Sequence, residues 1–112
     1  MPTNLVYKNN LIYPRVSGTT QQNVRTVSAN TTLTQFDSEV NVNTGAGGVT
    51  ITLPTAPFNG QTLVIKKITQ DANSLILSSA ALIDGAATQT IVQANQSFTV
   101  VYDGVAGTWR IV

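Results

Sequence analysis

Val49-Thr50-Ile51-Thr52-Leu53-Pro54 is the stretch on which the fold turns. In an extended chain successive side chains point to opposite sides, so Val49, Ile51 and Leu53 share one face and Thr50 and Thr52 the other. Pro54 ends the segment because it has no N–H to donate to a ladder. This is a strand with one buried and one solvated face. Downstream, Gln61-Thr62-Leu63-Val64-Ile65-Lys66-Lys67-Ile68 is apolar on both faces in its middle and reads as a central strand, with Lys66 and Lys67 expected where it leaves the core.

The same texture extends in both directions. Segments rich in β-branched residues at Val24 to Ser28, Glu39 to Asn43, Ser74 to Ser78, Thr88 to Val92, Ser97 to Tyr102 and Thr108 to Val112 bring the expected strands to eight or so. Asp84-Gly85 and Asp103-Gly104 read as turns between them, and helical periodicity is absent. Gly45-Ala46-Gly47-Gly48 would cradle a phosphate only if it opened a helix, but a strand follows, so it is expected to be a hairpin turn. The predicted body, residues 23–112, is an all-β domain: a compact antiparallel β-sandwich or barrel-like knob of short strands.

Composition narrows the function. The 112 residues suit one domain. Charged residues are 10% of the chain, and the formal net charge of +1 is too small to serve as a footprint for nucleic acid or an anionic membrane. With no Cys and no His, disulfide frameworks, zinc clusters, thiol nucleophiles and imidazole acid–base chemistry drop out together. No enzymatic activity, cofactor or metal is expected. Of the carboxylates, Asp84 and Asp103 would be the first candidates for hydrolytic chemistry, yet each precedes a glycine in a turn. No apolar run reaches the length of a membrane helix, and the N-terminus lacks the basic-then-apolar order of a secretory signal.

Residues 1–22 differ from the rest. Two apolar-aromatic clusters, Leu5-Val6-Tyr7 and Leu11-Ile12-Tyr13, flank the turn-forming Lys8-Asn9-Asn10, and the small polar stretch Ser17 to Gln22 reads as a linker. The clusters are too small to build a core, and tyrosine is a frequent interface anchor. The segment is therefore expected to be an extended docking arm, with Leu5, Val6, Tyr7, Leu11, Ile12 and Tyr13 as its contacts.

Several motifs together resemble a β-rich module of bacteriophage fibre proteins. They are Thr26 through Leu33, the Ile51-Thr52-Leu53-Pro54 strand, Gly60 through Lys67 ending in Ile65-Lys66-Lys67, the Ile83-Asp84-Gly85 turn, and Asp103-Gly104 followed by Thr108-Trp109, over about residues 26 to 112. The resemblance implies a virion structural protein, trimeric and without catalytic activity. An arm of this length before one knob implies a head-fibre or capsid-decoration protein on the particle surface, made in the host cytoplasm and docked on the major capsid protein or another virion protein. The alternative is a small tail fibre or receptor-binding tip that recognises host surface polysaccharide through loops bearing Asn43 and Asn59. A third reading, an unrelated small hydrolase or lectin, would centre on Asp84 and Asp103.

Two physical features agree with a trimer. Short strands with few charges have edges that need cover. Neutral Thr, Asn and Gln faces can also meet their own copies across a symmetry axis without like-charge repulsion.

Overall fold

From Val24 onward the chain crosses back and forth between two layers of strands. The computed structural model describes residues 23–112, together with the backbone of two short strands near the N-terminus, β1 (Val6–Lys8) and β2 (Leu11–Ile12). These two pair antiparallel, Val6 opposite Ile12 and Lys8 opposite Leu11. The body contains β3 (Val24–Val27), β4 (Thr31–Thr32), β5 (Glu39–Val42), β6 (Val49–Thr52), β7 (Thr62–Lys67), β8 (Leu75–Ile83), β9 (Ala86–Ile91), β10 (Ser97–Asp103) and β11 (Thr108–Ile111). No described helix is long and apolar enough to cross a membrane.

The body is all-β, as expected, but its pairing is mixed rather than antiparallel. β3, β5 and β7 lie side by side and parallel, with Arg25, Val40 and Ile65 in register. In the second layer β4, β6 and β8 are also parallel, with Thr31, Ile51 and Leu77 in register. Each strand of the first layer is thus followed by one of the second, and the course is repeated one strand further along. A strand lying in the opposite layer supplies the long crossover that parallel neighbours require. Read one segment at a time, such short connections look like hairpins.

Antiparallel pairing enters only where this repetition stops. β9 folds back on β8, β10 lies antiparallel to β7, and β11 returns along β10. Trp109 of β11 sits beside Ile83 of β8 and joins the layers, so the sheet runs β3-β5-β7-β10-β11-β8-β6-β4 and nearly closes into a barrel. The expected segments became strands, and the addition is β4, whose two residues are too few to show alternation.

The facing sides of the layers make one core. Val40, Val42, Leu63, Ile65 and Val100 meet Leu33, Val49, Ile51, Leu53, Leu75, Leu77, Ile83 and Ile91, with Trp109 at the junction. At about 25 cal/mol per Å² of apolar surface removed from water, this burial is the main stabilising force. Lys67 corrects an expectation. It lies in the inward row beside Val42 and is fully buried, rather than marking the exit from the core. Its Nζ donates to the carbonyls of Asp71 and Val92, both at 2.6 Å, and lies 3.1 Å from Asp71 Oδ1. An ammonium can be buried because all three of its donors are met.

The turns follow local chemistry, with one exception. Asp84-Gly85 closes the β8–β9 hairpin with φ of 49° and 83°, the left-handed pair that such a turn requires. Gly45 to Gly48 does not close a hairpin: β5 and β6 lie in different layers, and the glycines carry the chain across. The exception is Leu82, with a φ of 63° and its side chain exposed, where β8 makes its irregular step between Ser78 and Ile83. A β-carbon in that conformation costs about 1–2 kcal/mol. Leu82→Gly is therefore expected to raise the unfolding free energy by about 0.5–1 kcal/mol, since the relief exceeds glycine's entropic cost. Urea unfolding at constant slope would check this.

Candidate functional site

Two loops at one end of the body carry its exposed phenylalanines. In the first, residues 33–38, Leu33 is anchored in the core and its N–H donates to Thr52 O. The Asp37 carboxylate accepts from Thr34 N–H at 2.9 Å, and Asp37 N–H returns to Thr34 O at 3.1 Å. This reciprocal pair closes a tight turn that leaves Phe36 at its tip, 69% exposed. Arg25 on β3 clamps the same carboxylate with two nitrogens, Nε to Oδ1 at 2.9 Å and Nη2 to Oδ2 at 3.1 Å. A bidentate pair of this kind adds geometric specificity.

The second loop, residues 54–61, runs from Pro54 to Gln61 and presents Phe58, 53% exposed. Gly60, at a φ of 84°, allows the sharp turn whose N–H reaches Tyr102 O. Gln61 ties the loops together: its side chain is buried, and Nε2 donates to Thr34 O at 3.1 Å while Oε1 has no partner among the described residues. Between the two loops lies an open cleft of about 340 Å³ with Phe36 and Phe58 on its walls and Asn23, Gln35, Ser38 and Thr62 among its polar lining. Asn23 Nδ2 donates to Phe36 O at 2.6 Å, so the residue at which segment 1–22 joins the body also shapes the cleft.

Of the residues expected from sequence, Asn59 lies in the second loop beside Phe58, and the others fall elsewhere. Asn43 and Asn59 lie at opposite ends of the parallel layer, Asn43 just after β5 and Asn59 just before β7, about 17–20 Å apart at the rise of a six-residue strand. They do not converge on one site. Each serves the local backbone, Asn43 Oδ1 accepting from Gly45 N–H and Asn59 Oδ1 from Gly104 N–H, both at 2.8 Å. Of the arm contacts, Leu5 and Tyr13 lie outside the described residues, while Val6, Tyr7, Leu11 and Ile12 fall in β1 and β2, where only the backbone is described.

Asp84 and Asp103 also serve local structure. Asp84 Oδ1 accepts from Ile111 N–H at 3.3 Å. Asp103 caps the β10–β11 turn, and its carboxyl is held below the usual range by hydrogen bonds from Ala106 N–H, Arg110 and Val105 N–H. Among the described residues no three His, Cys, Asp or Glu side chains come together to hold a metal. Phe36, Phe58 and Gln61 were not singled out in the sequence. The available signal was two aromatics in segments without alternation, Gln35-Phe36-Asp37 and Pro57-Phe58-Asn59, where a strand could not bury them.

No family model matches the chain, and no curated protein is detectably similar to it in sequence.

Proposed function

We propose that the chain is a structural protein of a bacteriophage virion, a head-fibre or capsid-decoration protein held to the particle by its N-terminal arm and projecting the β body as a knob of three copies. One observation of the fold carries this reading. The side chains of Phe36 and Phe58, each more than half exposed, line one cleft with Asn23, where the arm joins the body. Two exposed aromatic side chains gathered on one cleft mark a contact site. In the chain this end follows the segment that carries Leu5, Val6, Tyr7, Leu11, Ile12 and Tyr13, and on this reading arm and body-end together are the anchor. The sequence resemblance supplies the partner class, a capsid protein or another virion protein.

The test is co-sedimentation of the full-length protein with purified particles of the phage that carries its gene. Wild type is expected to sediment with capsids and to be seen on them by gold labelling. Leu11→Asp/Ile12→Asp and Phe36→Ser proteins with unchanged circular dichroism are expected to lose at least about tenfold in affinity, as for removal of a central anchor. Variants that bind as well as wild type would refute the anchor, and label confined to tails would move the protein off the capsid.

The cleft favours a second reading, a small tail fibre or receptor-binding tip for host glycans. Two exposed phenyl faces beside uncharged amide and hydroxyl groups of Gln35, Ser38 and Thr62 suit the apolar and hydroxyl faces of a sugar. On this reading Phe58→Ala weakens binding to host envelope polysaccharide about tenfold and leaves particle association intact.

A further inference from the structure

The outer faces of the two layers differ in chemistry. Every charge on a strand of the body belongs to the first layer or to β10 and β11, which continue it, and Glu39 on β5, Lys66 on β7, Asp103 on β10 and Arg110 on β11 stand on the outer face. The strands β4, β6, β8 and β9 contain none. Where these strands pair in regular register, the positions that alternate with the buried Ile51, Leu77 and Ile91 carry hydroxyls at Thr32, Thr50, Thr52, Ser78, Thr88 and Thr90 and an apolar side chain at Ile76, and the remaining outward positions, Ala80, Leu82 and Ala86, are apolar.

Register turns these positions into rows. Thr32, Thr52, Ser78 and Thr88 stand opposite one another across all four strands. Thr50, Ile76 and Thr90 form the row beside them. Neighbouring members are about 4.8 Å apart, the spacing of paired strands. Among the described residues these six hydroxyls make no hydrogen bond to another protein group, in contrast to Thr31, Thr44, Thr62 and Ser79, which do.

We infer that this uncharged hydroxyl face is the surface through which copies of the chain meet one another, an assignment that rests on the self-association within the proposed function. A face that meets its own copy brings like groups together, so any charge on it would face its equal. This face carries none, whereas the first layer carries charges of both signs. A hydroxyl is both donor and acceptor, which makes a threonine row complementary to an identical row. The methyl groups of threonine and the side chain of Ile76 supply apolar area between the hydroxyls. The outermost strand on either side, β4 or β9, also has one unpaired edge, which a neighbouring copy can cover.

The experiment compares the solution mass of full-length wild type with Thr52→Lys, Ser78→Lys and the double variant, by light scattering on a sizing column. Ser97→Lys and Thr99→Lys, on the outer face of β10 and away from the cleft, are the controls. Wild type and controls are expected near the mass of three chains, and the double variant at one chain with an unchanged circular dichroism spectrum. The proposal is overturned by a wild type that stays monomeric at high concentration, or by an oligomer indifferent to Thr52→Lys/Ser78→Lys. It is also overturned if the lysines leave the mass unchanged but abolish retention on host polysaccharide, which would assign the face to a glycan. Particle binding of the same proteins separates the readings: loss of the oligomer with docking retained touches this face alone, and loss of docking with the oligomer intact touches the anchor alone.

Discussion

Trp109→Ala is expected to lower the unfolding free energy by about 4 kcal/mol, the largest effect of any single truncation in the body. Trp109 is fully buried, and its ring lies 5.2 Å from that of Tyr102 at 58°. It stands at the one register contact that joins β11 to β8, so it holds the layers together where the sheet bends round. Removing the indole leaves a cavity at a junction of two layers, where neighbours can collapse little. Among the described residues its Nε1–H has no hydrogen-bond partner, so its contribution comes from packing. Trp109→Phe should therefore retain more than half of the stability lost in the alanine variant. Equilibrium denaturation of both variants tests this, and a loss below about 1 kcal/mol for alanine would show that the layers are joined elsewhere.

Lys67→Met is expected to cost about 3 kcal/mol, although the two side chains are similar in length. Methionine fills the inward position but donates nothing, so the carbonyls of Asp71 and Val92 lose their 2.6 Å bonds. The Asp71 carboxylate loses its cation. That carboxylate already accepts from the Thr44 hydroxyl and Asn73 N–H, linking the β5–β6 and β7–β8 loops, while Val92 adds the β9–β10 loop. One ammonium thus ties three connections at the end opposite the cleft.

The same cluster sets an acid dependence. Partial burial alone would raise the Asp71 carboxyl, but hydrogen bonds from Thr44, Thr69, Lys67 and the Asn73 N–H outweigh it and bring its pKa down to about 2. The proton therefore binds the unfolded chain more readily than the folded one. This contribution is complete above about pH 4 and is lost as the pH falls toward 2. Asp71→Asn should flatten stability over that interval. The double variant with Lys67→Met should be less destabilised than the sum of the single ones, because the two residues share one interaction.

The inward face of each strand was legible in the residues alone. Alternation at Val49, Ile51 and Leu53 and at Leu63 and Ile65 told which side chains face inward, because the period of a strand is a local property of the backbone. Turns such as Asp84-Gly85 were legible for the same reason: the φ they demand is met or refused by the residue itself.

The pairing of the strands lies beyond what alternation can encode. Whether a strand pairs with its neighbour in sequence or crosses to the opposite layer leaves the same inward face buried, so the parallel course of β3, β5 and β7 had no local signature. The burial of Lys67 depended on carbonyls of Asp71 and Val92 that only the folded loops bring to its Nζ. The cleft of Phe36 and Phe58 arose from two loops joined through Gln61, and the hydroxyl rows from the register of four strands. In each case the partners are distant in sequence. Their meeting is set by how the layers stack around a common core, which no single segment carries.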